Sequence, residues 1–186
     1  MQLDYTQGCV NFRDIGAFVN LIAGKQLLQP NKILRGGSID YIESLEEIEN
    51  PKSIFNLRNG LDPIFPDIDY YHFPMSNKIE KYDTSQKEVR AWLTKIIQQL
   101  TAPDLKYPVL IHCLSGKDRT GIVVATILLL LEIDTSIIKE EYLLSDGGVQ
   151  EELIDLSLKG IGNVDRYFDR LDLHKVKGNL ASNIIS

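Results

Sequence analysis

The chain has 186 residues, a net charge of −6 and a sequence pI of about 5.1. Hydrophobic residues make up 44% and charged residues 25%, the balance of a soluble globular protein with one full core. So acidic a chain lacks the basic face that nucleic acid requires, and its two cysteines, Cys9 and Cys113, form no disulfide framework, which points to a reducing, cytoplasmic setting.

The first residues show no basic stretch leading into an apolar core, so no secretion signal is expected. Ser53-Ile54-Phe55-Asn56-Leu57 and Tyr70-Tyr71-His72-Phe73 are short apolar or aromatic runs bounded by turn formers, and read as strands. Val89, Trp92, Leu93, Ile96, Ile97 and Leu100 recur at three- and four-residue spacing. That spacing predicts a helix with one apolar face, capped by Thr84 or Ser85 and closed before Pro103. Val109-Leu110-Ile111-His112 follows Pro108 as a nearly all-apolar strand, the pattern of a sheet covered on both faces.

A helix from about Arg119 to Leu131 is apolar almost all round, which predicts a place in the core. Its apolar run is too short for a bilayer, which needs about 20 residues. Glu132-Ile133-Asp134 breaks it, and Thr135-Ser136 starts another helix through Ile138, Tyr142 and Leu143. Further helices are predicted at Gln150 to Leu158 and Val164 to Leu171. The order predicts one α/β domain over residues 1–186: a central, largely parallel sheet of about four or five strands, flanked by helices, with a helical C-terminal part.

The chemistry concentrates in His112-Cys113-Leu114-Ser115-Gly116-Lys117-Asp118-Arg119-Thr120-Gly121, which joins the buried strand to the buried helix. Ligands of open α/β folds bind at the carboxyl ends of strands. A loop curling there into a helix N-terminus aims backbone N–H groups at one anion. The same dipoles favour a thiolate at Cys113. Arg119, six positions on, can fold its planar fork back over the cradle and grip two phosphoryl oxygens. The expected cradle runs through Leu114, Ser115, Gly116, Lys117, Asp118, Arg119 and Thr120, with Gly116 and Gly121 allowing tight turning and close packing. Thr120 brings a hydroxyl beside the sulfur. A lone cysteine is most often a plain buried thiol; the complete loop outweighs that reading.

This string resembles the Cys-x5-Arg phosphatase superfamily in its HC-x-x-GKDRTG form. Asn11-Phe12-Arg13-Asp14-Ile15-Gly16 is similar to the NFRDLGG opening of its bacterial and fungal tyrosine-phosphatase branch, and Leu34-Arg35-Gly36-Gly37-Ser38 and Phe55-Asn56-Leu57-Arg58 are similar to further segments of that branch. Glu141-Tyr142-Leu143-Leu144-Ser145 resembles its downstream helix, so the likeness runs from about Asn11 to Asp169. Ala17 and Asn56 depart from the pattern, standing for a glycine and an acid. The resemblance implies a phosphatase-type fold and a two-step reaction: Cys113 attacks phosphorus, a general acid protonates the leaving oxygen, and water hydrolyses the cysteinyl-phosphate. It implies no metal or other cofactor, and His72, His112 and His174 lack ligand spacing.

Two carboxylates compete for the acid. Asp83 lies thirty positions before the cysteine, where relatives carry the acid on a mobile loop, and its ordinary job would be a helix cap. Asp118 lies inside the loop, and its ordinary job would be a bond to Arg13 or Arg35, or balance for Lys117. Asp67 and Asp69 are weaker candidates beside Pro66. His112 is expected to hold the loop through a backbone hydrogen bond. Lys117 is either a solvated charge or a contact to an acidic substrate, and Arg13 and Asp14 either brace the loop or form a surface pair. Cys9 reads as a plain core or surface residue.

The expected partners are a phosphorylated protein, lipid or small molecule, with no nucleic acid and no stable membrane anchor, because no polybasic or amphipathic segment is present. Leu114 stands where lipid-directed relatives often carry a second lysine, which tilts the expectation to phosphotyrosine or a small ester. Three readings follow: a tyrosine or dual-specificity phosphatase, a phosphoinositide or inositol-phosphate phosphatase, and a non-catalytic phosphate-binding module.

Overall fold

Alternation along each strand sorts the side chains of the sheet onto two covered faces. The computed structural model describes residues 3–185. Its strands are β1 (Arg13–Asp14), β2 (Ile33–Gly36), β3 (Ser53–Asn56), β4 (Asp69–His72) and β5 (Val109–His112), in the order β1-β2-β5-β3-β4. Only β1 runs antiparallel to its neighbour. Ile33, Phe55, Val109 and Ile111 face the larger core beneath the helices. Leu34, Ile54 and Leu110 face a smaller core closed by Ile39, Ile42 and Ile48, the last from a 3-10 turn at Leu45–Ile48. Both faces are dry, so the strands read as continuous apolar runs.

The helices are α1 (Ile15–Ala23), α2 (Lys87–Leu100), α3 (Asp118–Leu130), α4 (Thr135–Leu143), α5 (Glu151–Ile161), α6 (Val164–Tyr167) and α7 (Leu173–Ile184). The expected α/β architecture is present: five strands, four of them mutually parallel, with a helical C-terminal part. Register places Gly36, His112 and Asn56 side by side at the carboxyl ends of β2, β5 and β3. The chain leaves β5 there, with β2 on one side and β3 on the other, the position where open sheets bind ligands. Residue after residue of α3 is buried, from Thr120 to Leu128, as its all-round apolar sequence demands.

Local details differ from the sequence reading for identifiable reasons. The N-cap of α2 is Gln86, whose side chain makes no capping bond, and neither Thr84 nor Ser85 takes that position. Thr84 is fully buried and spends its hydroxyl on the Ser157 carbonyl at 2.7 Å. Parallel β3 and β4 follow each other with no helix between, joined by the 57–68 loop, long enough for the dozen-residue crossover a parallel pair needs. The helix expected up to Leu171 stops at Tyr167, and α5 continues to Ile161 before Gly162 ends it. α1 and α7 escaped notice because each buries only three residues.

Leu93, fully buried on α2, should lose about 3 kcal/mol on truncation to Ala, whereas exposed Lys95→Ala on the same helix should change stability by less than about 0.5 kcal/mol. Urea unfolding midpoints of the two variants check this.

Candidate active site

Three successive carbonyls of the 113–119 loop are drawn outward by donors from elsewhere in the chain. Ser38 N–H donates to Leu114 O at 2.9 Å, Asn11 Nδ2 to Ser115 O at 2.7 Å and Arg35 Nη2 to Gly116 O at 2.7 Å. In a trans peptide the N–H points opposite to the carbonyl. The N–H groups of Ser115, Gly116 and Lys117 are thereby turned inward, and among the described residues they donate to no backbone carbonyl. That is an anion nest at the start of α3. Gly116 makes the turn possible: its φ is +68°, and a Cβ there would stand 2.6 Å from the Gly36 carbonyl carbon.

The donors are themselves fixed by a buried charge cluster. Glu141 on α4 takes Arg13 Nε on one carboxylate oxygen and Arg35 Nη1 on the other, each at 2.7 Å. Arg13 also donates to the Glu141 carbonyl and to Ser145 Oγ. Arg35 is 0% and Glu141 1% exposed, so these charges exist only because they are paired. Burial, then repulsion from Arg35, pulls the Arg13 pKa down to about 10, against the support of Glu141. The two arginines therefore brace the loop from below, and Asp14 caps α1 by accepting from Gly16 N–H.

A second tie holds the β5 end. His112 is fully buried, with Nδ1 3.1 Å from the Gly37 carbonyl and Nε2 2.8 Å from Asp62 Oδ2. Asp62 also receives Arg58 Nη2 at 2.9 Å, and Arg58 reaches Asp40 as well. Asn56, in place of the acid of the resembling motif, accepts from Arg58 N–H and donates to Gly60 O, shaping the turn that lets Arg58 do so.

Above the loop opens a pocket of about 340 Å³ lined by Cys113, Ser115, Lys117, Asp118 and Arg119, with Asn77 and Lys81 at its side. Cys113 is 3% exposed, at the base. Its N–H donates to Gly36 O at 3.4 Å, the same oxygen that accepts from Thr120 Oγ1. Arg119 is held by Leu57 O at 3.1 Å and by the Asn77 side-chain oxygen at 2.5 Å. Asp118 lines the pocket with its Oδ1 accepting from Tyr82 Oη at 2.6 Å; neither Arg13 nor Arg35 reaches it, both being taken by Glu141. Asp83 is absent from the pocket lining. One of its oxygens accepts from Ser85 N–H and Oγ and the other from Gln86 Nε2, a turn-forming arrangement that also lowers its pKa. Asp69 pairs with Lys106. Lys117 donates to Gly147 O. Cys9 lies against Gly36 and Gly37, and burial pushes its thiol up to about 12.

Sequence reasoning did not single out Tyr82, Asn77, Asp62 or Asn11 as site residues, because each reaches the loop across a long chain separation. Glu141 had a usable signal: it shares a helix face with Ile138 and Tyr142, so a carboxylate at that position faces the core and needs a buried partner.

A parallel sheet opening onto an anion nest, with a thiol at its base and a guanidinium at its rim, defines an α/β protein built to hold a phosphoryl group. The profile of the tyrosine phosphatase family matches residues 5–176, and the chain belongs to that family. It is 36% identical over 77 residues to the triple specificity protein phosphatase PtpB of Mycobacterium tuberculosis, an alignment covering 41% of this chain and 26% of that protein. The chain thus matches about a quarter of that relative's length. The fold is similar to Pseudomonas aeruginosa TpbA, with a TM-score of 0.53 and 18% identity, covering 81% of this chain and 87% of the other. It is also similar to the core catalytic domain of the PP-IP phosphatase Siw14 from S. cerevisiae, with a TM-score of 0.50 and 23% identity, covering 83% and 90%. No helix of the described residues is long and apolar enough to cross a membrane.

Glu141→Gln leaves two buried guanidinium groups with no counter-charge and should cost about 3–5 kcal/mol of stability, read from chemical denaturation. With the Cys9 thiol pushed up to about 12, iodoacetamide at neutral pH should modify the wild type once, and Cys113→Ser not at all, by intact mass.

Proposed function

We propose that the chain works as one phosphatase domain that hydrolyses phosphate monoesters, phosphotyrosine foremost, through a cysteinyl-phosphate. The observation that carries the reading is the meeting of Cys113, Arg119 and Asp118 around one pocket above an inward-facing set of N–H groups. Cys113 thiolate attacks phosphorus, the sulfur–phosphorus bond forms, and the ester bond breaks. The inward N–H groups and Arg119 stabilise the equatorial oxygens, as in other phosphoryl transfers. Leu114, Thr120 and the rest of the loop shape the cradle. Asp118 gives its proton to the leaving oxygen and then takes one from the water that cleaves the intermediate. Asp118 is preferred to Asp83 because it lines the pocket, whereas both Asp83 oxygens are engaged in the turn before α2.

For the substrate, exposed Leu114 and Tyr5 flank the pocket and offer apolar surface to an aryl ring. A second reading, an inositol-phosphate or phosphoinositide substrate, draws support from Lys81 and Lys117 beside the same pocket, which suit a second phosphate. The site asks for no metal or cofactor, and a cytoplasmic setting fits a nucleophilic thiol.

Cys113→Ser should abolish turnover of p-nitrophenyl phosphate; a variant as fast as wild type would reduce the protein to a binder. Asp118→Asn should slow a poor leaving group such as phenyl phosphate by about 10²–10³, with a much smaller loss on p-nitrophenyl phosphate. Asp83→Asn should leave both rates near wild type, and a reversal of the two would move the acid to Asp83. A panel of phosphotyrosine peptides and phosphoinositides ranks the two substrate readings.

A further inference from the structure

Asp118 does not stand alone. Its Oδ1 accepts from Tyr82 Oη at 2.6 Å, and Tyr82 Oη lies 2.8 Å from Tyr142 Oη. A phenol has one proton to give. Tyr82 gives its proton to Asp118, so Tyr142 donates to Tyr82, and the chain runs in one direction: Tyr142, Tyr82, Asp118. Burial, and then the bond to Asp118, hold the proton on Tyr82. The two rings cross edge to face with centroids 6.5 Å apart, and both residues are buried. Tyr142 in turn fits only because residue 121 is glycine: a Cβ there would stand 2.7 Å from its ring.

We infer that Tyr82, backed by Tyr142, is the positioning residue for Asp118, and that it assigns the two carboxyl oxygens separate tasks. Oδ1 is occupied by the phenol. Oδ2, which has no hydrogen-bond partner among the described residues, is the oxygen that carries the transferable proton. Without Tyr82 the carboxyl of the first helical turn rotates freely, and the proton is presented to the leaving group for only part of the time. Tyr82 touches neither sulfur nor phosphate, so it acts on proton delivery and leaves phosphate binding alone. This inference rests on Asp118 being the acid.

The test compares kcat/KM of Tyr82→Phe on phenyl phosphate and p-nitrophenyl phosphate, with inhibition by inorganic phosphate as the binding control. The expected result is a loss of about tenfold on phenyl phosphate. On p-nitrophenyl phosphate the loss should be under about twofold, and the phosphate inhibition constant should not change. Adding Tyr82→Phe to Asp118→Asn should cause no further loss, because the group it positions is gone. Equal slowing of both esters, no slowing of either, or the same tenfold loss in the Asp118→Asn background would each overturn the role of Tyr82. If Asp118→Asn itself shows no leaving-group contrast, the acid assignment fails first, and with it this inference. Should Tyr82→Phe not fold, Tyr142→Phe, which keeps the bond from Tyr82 to Asp118, carries the test: a smaller contrast in the same direction supports the chain, and none overturns it.

Discussion

The carboxylate of Glu141 lies between two buried guanidinium groups, and the shape of the catalytic loop depends on that contact. Arg35 has one arm on Glu141 and the other on the Gly116 carbonyl. Arg13 has its arms on Glu141 and Ser145. Ionised groups are costly to bury, and the cost is tolerable only where the partners are fixed and close. The sheet supplies Arg13 and Arg35 from adjacent, paired positions on β1 and β2, and α4 supplies the acid. A cross-linked platform results directly under the loop.

On that platform the loop needs little from its own side chains to bind an anion. Outside donors fix its carbonyls, so the direction of its N–H groups follows from peptide geometry. Its side chains are then free for chemistry: sulfur at the base, guanidinium over the top, carboxyl to one side. The phenol pair arrives from another direction, with Tyr82 from the loop before α2 and Tyr142 from the helix that also carries Glu141. One helix therefore supports both the phosphate cradle and, through two hydroxyls, the acid.

Much of this was legible in the sequence, for stated reasons. The central strand and buried helix announce themselves by apolar runs, and the loop between them by a string in which almost every residue has a chemical task. The sheet class followed from strand composition. The supports were less legible. Thr84 looked like a cap and proved to be an interior hydroxyl bound to Ser157, because a cap and a buried donor have the same local sequence. Asp118 was read as a partner for Arg13, Arg35 or Lys117, whereas Tyr82 holds it from thirty-six positions away. Periodicity reports which face of an element is dry; it does not report which polar groups meet across the core. Those pairings belong to topology, and only coordinates supply them.

The Asn11 side chain shows what such long reach entails. Its amide nitrogen holds Ser115 O, and its amide oxygen accepts from Asp146 N–H, contacts spanning 104 and 135 positions of the chain. Contacts of that separation close large loops and form late as a chain folds. During synthesis, the segment with the thiol leaves the ribosome well before residues 141–146 that complete its surroundings. The reactive loop is therefore among the last parts of the protein to take shape, and a nascent chain holds its nucleophile unassembled until nearly four-fifths of the polypeptide has been made.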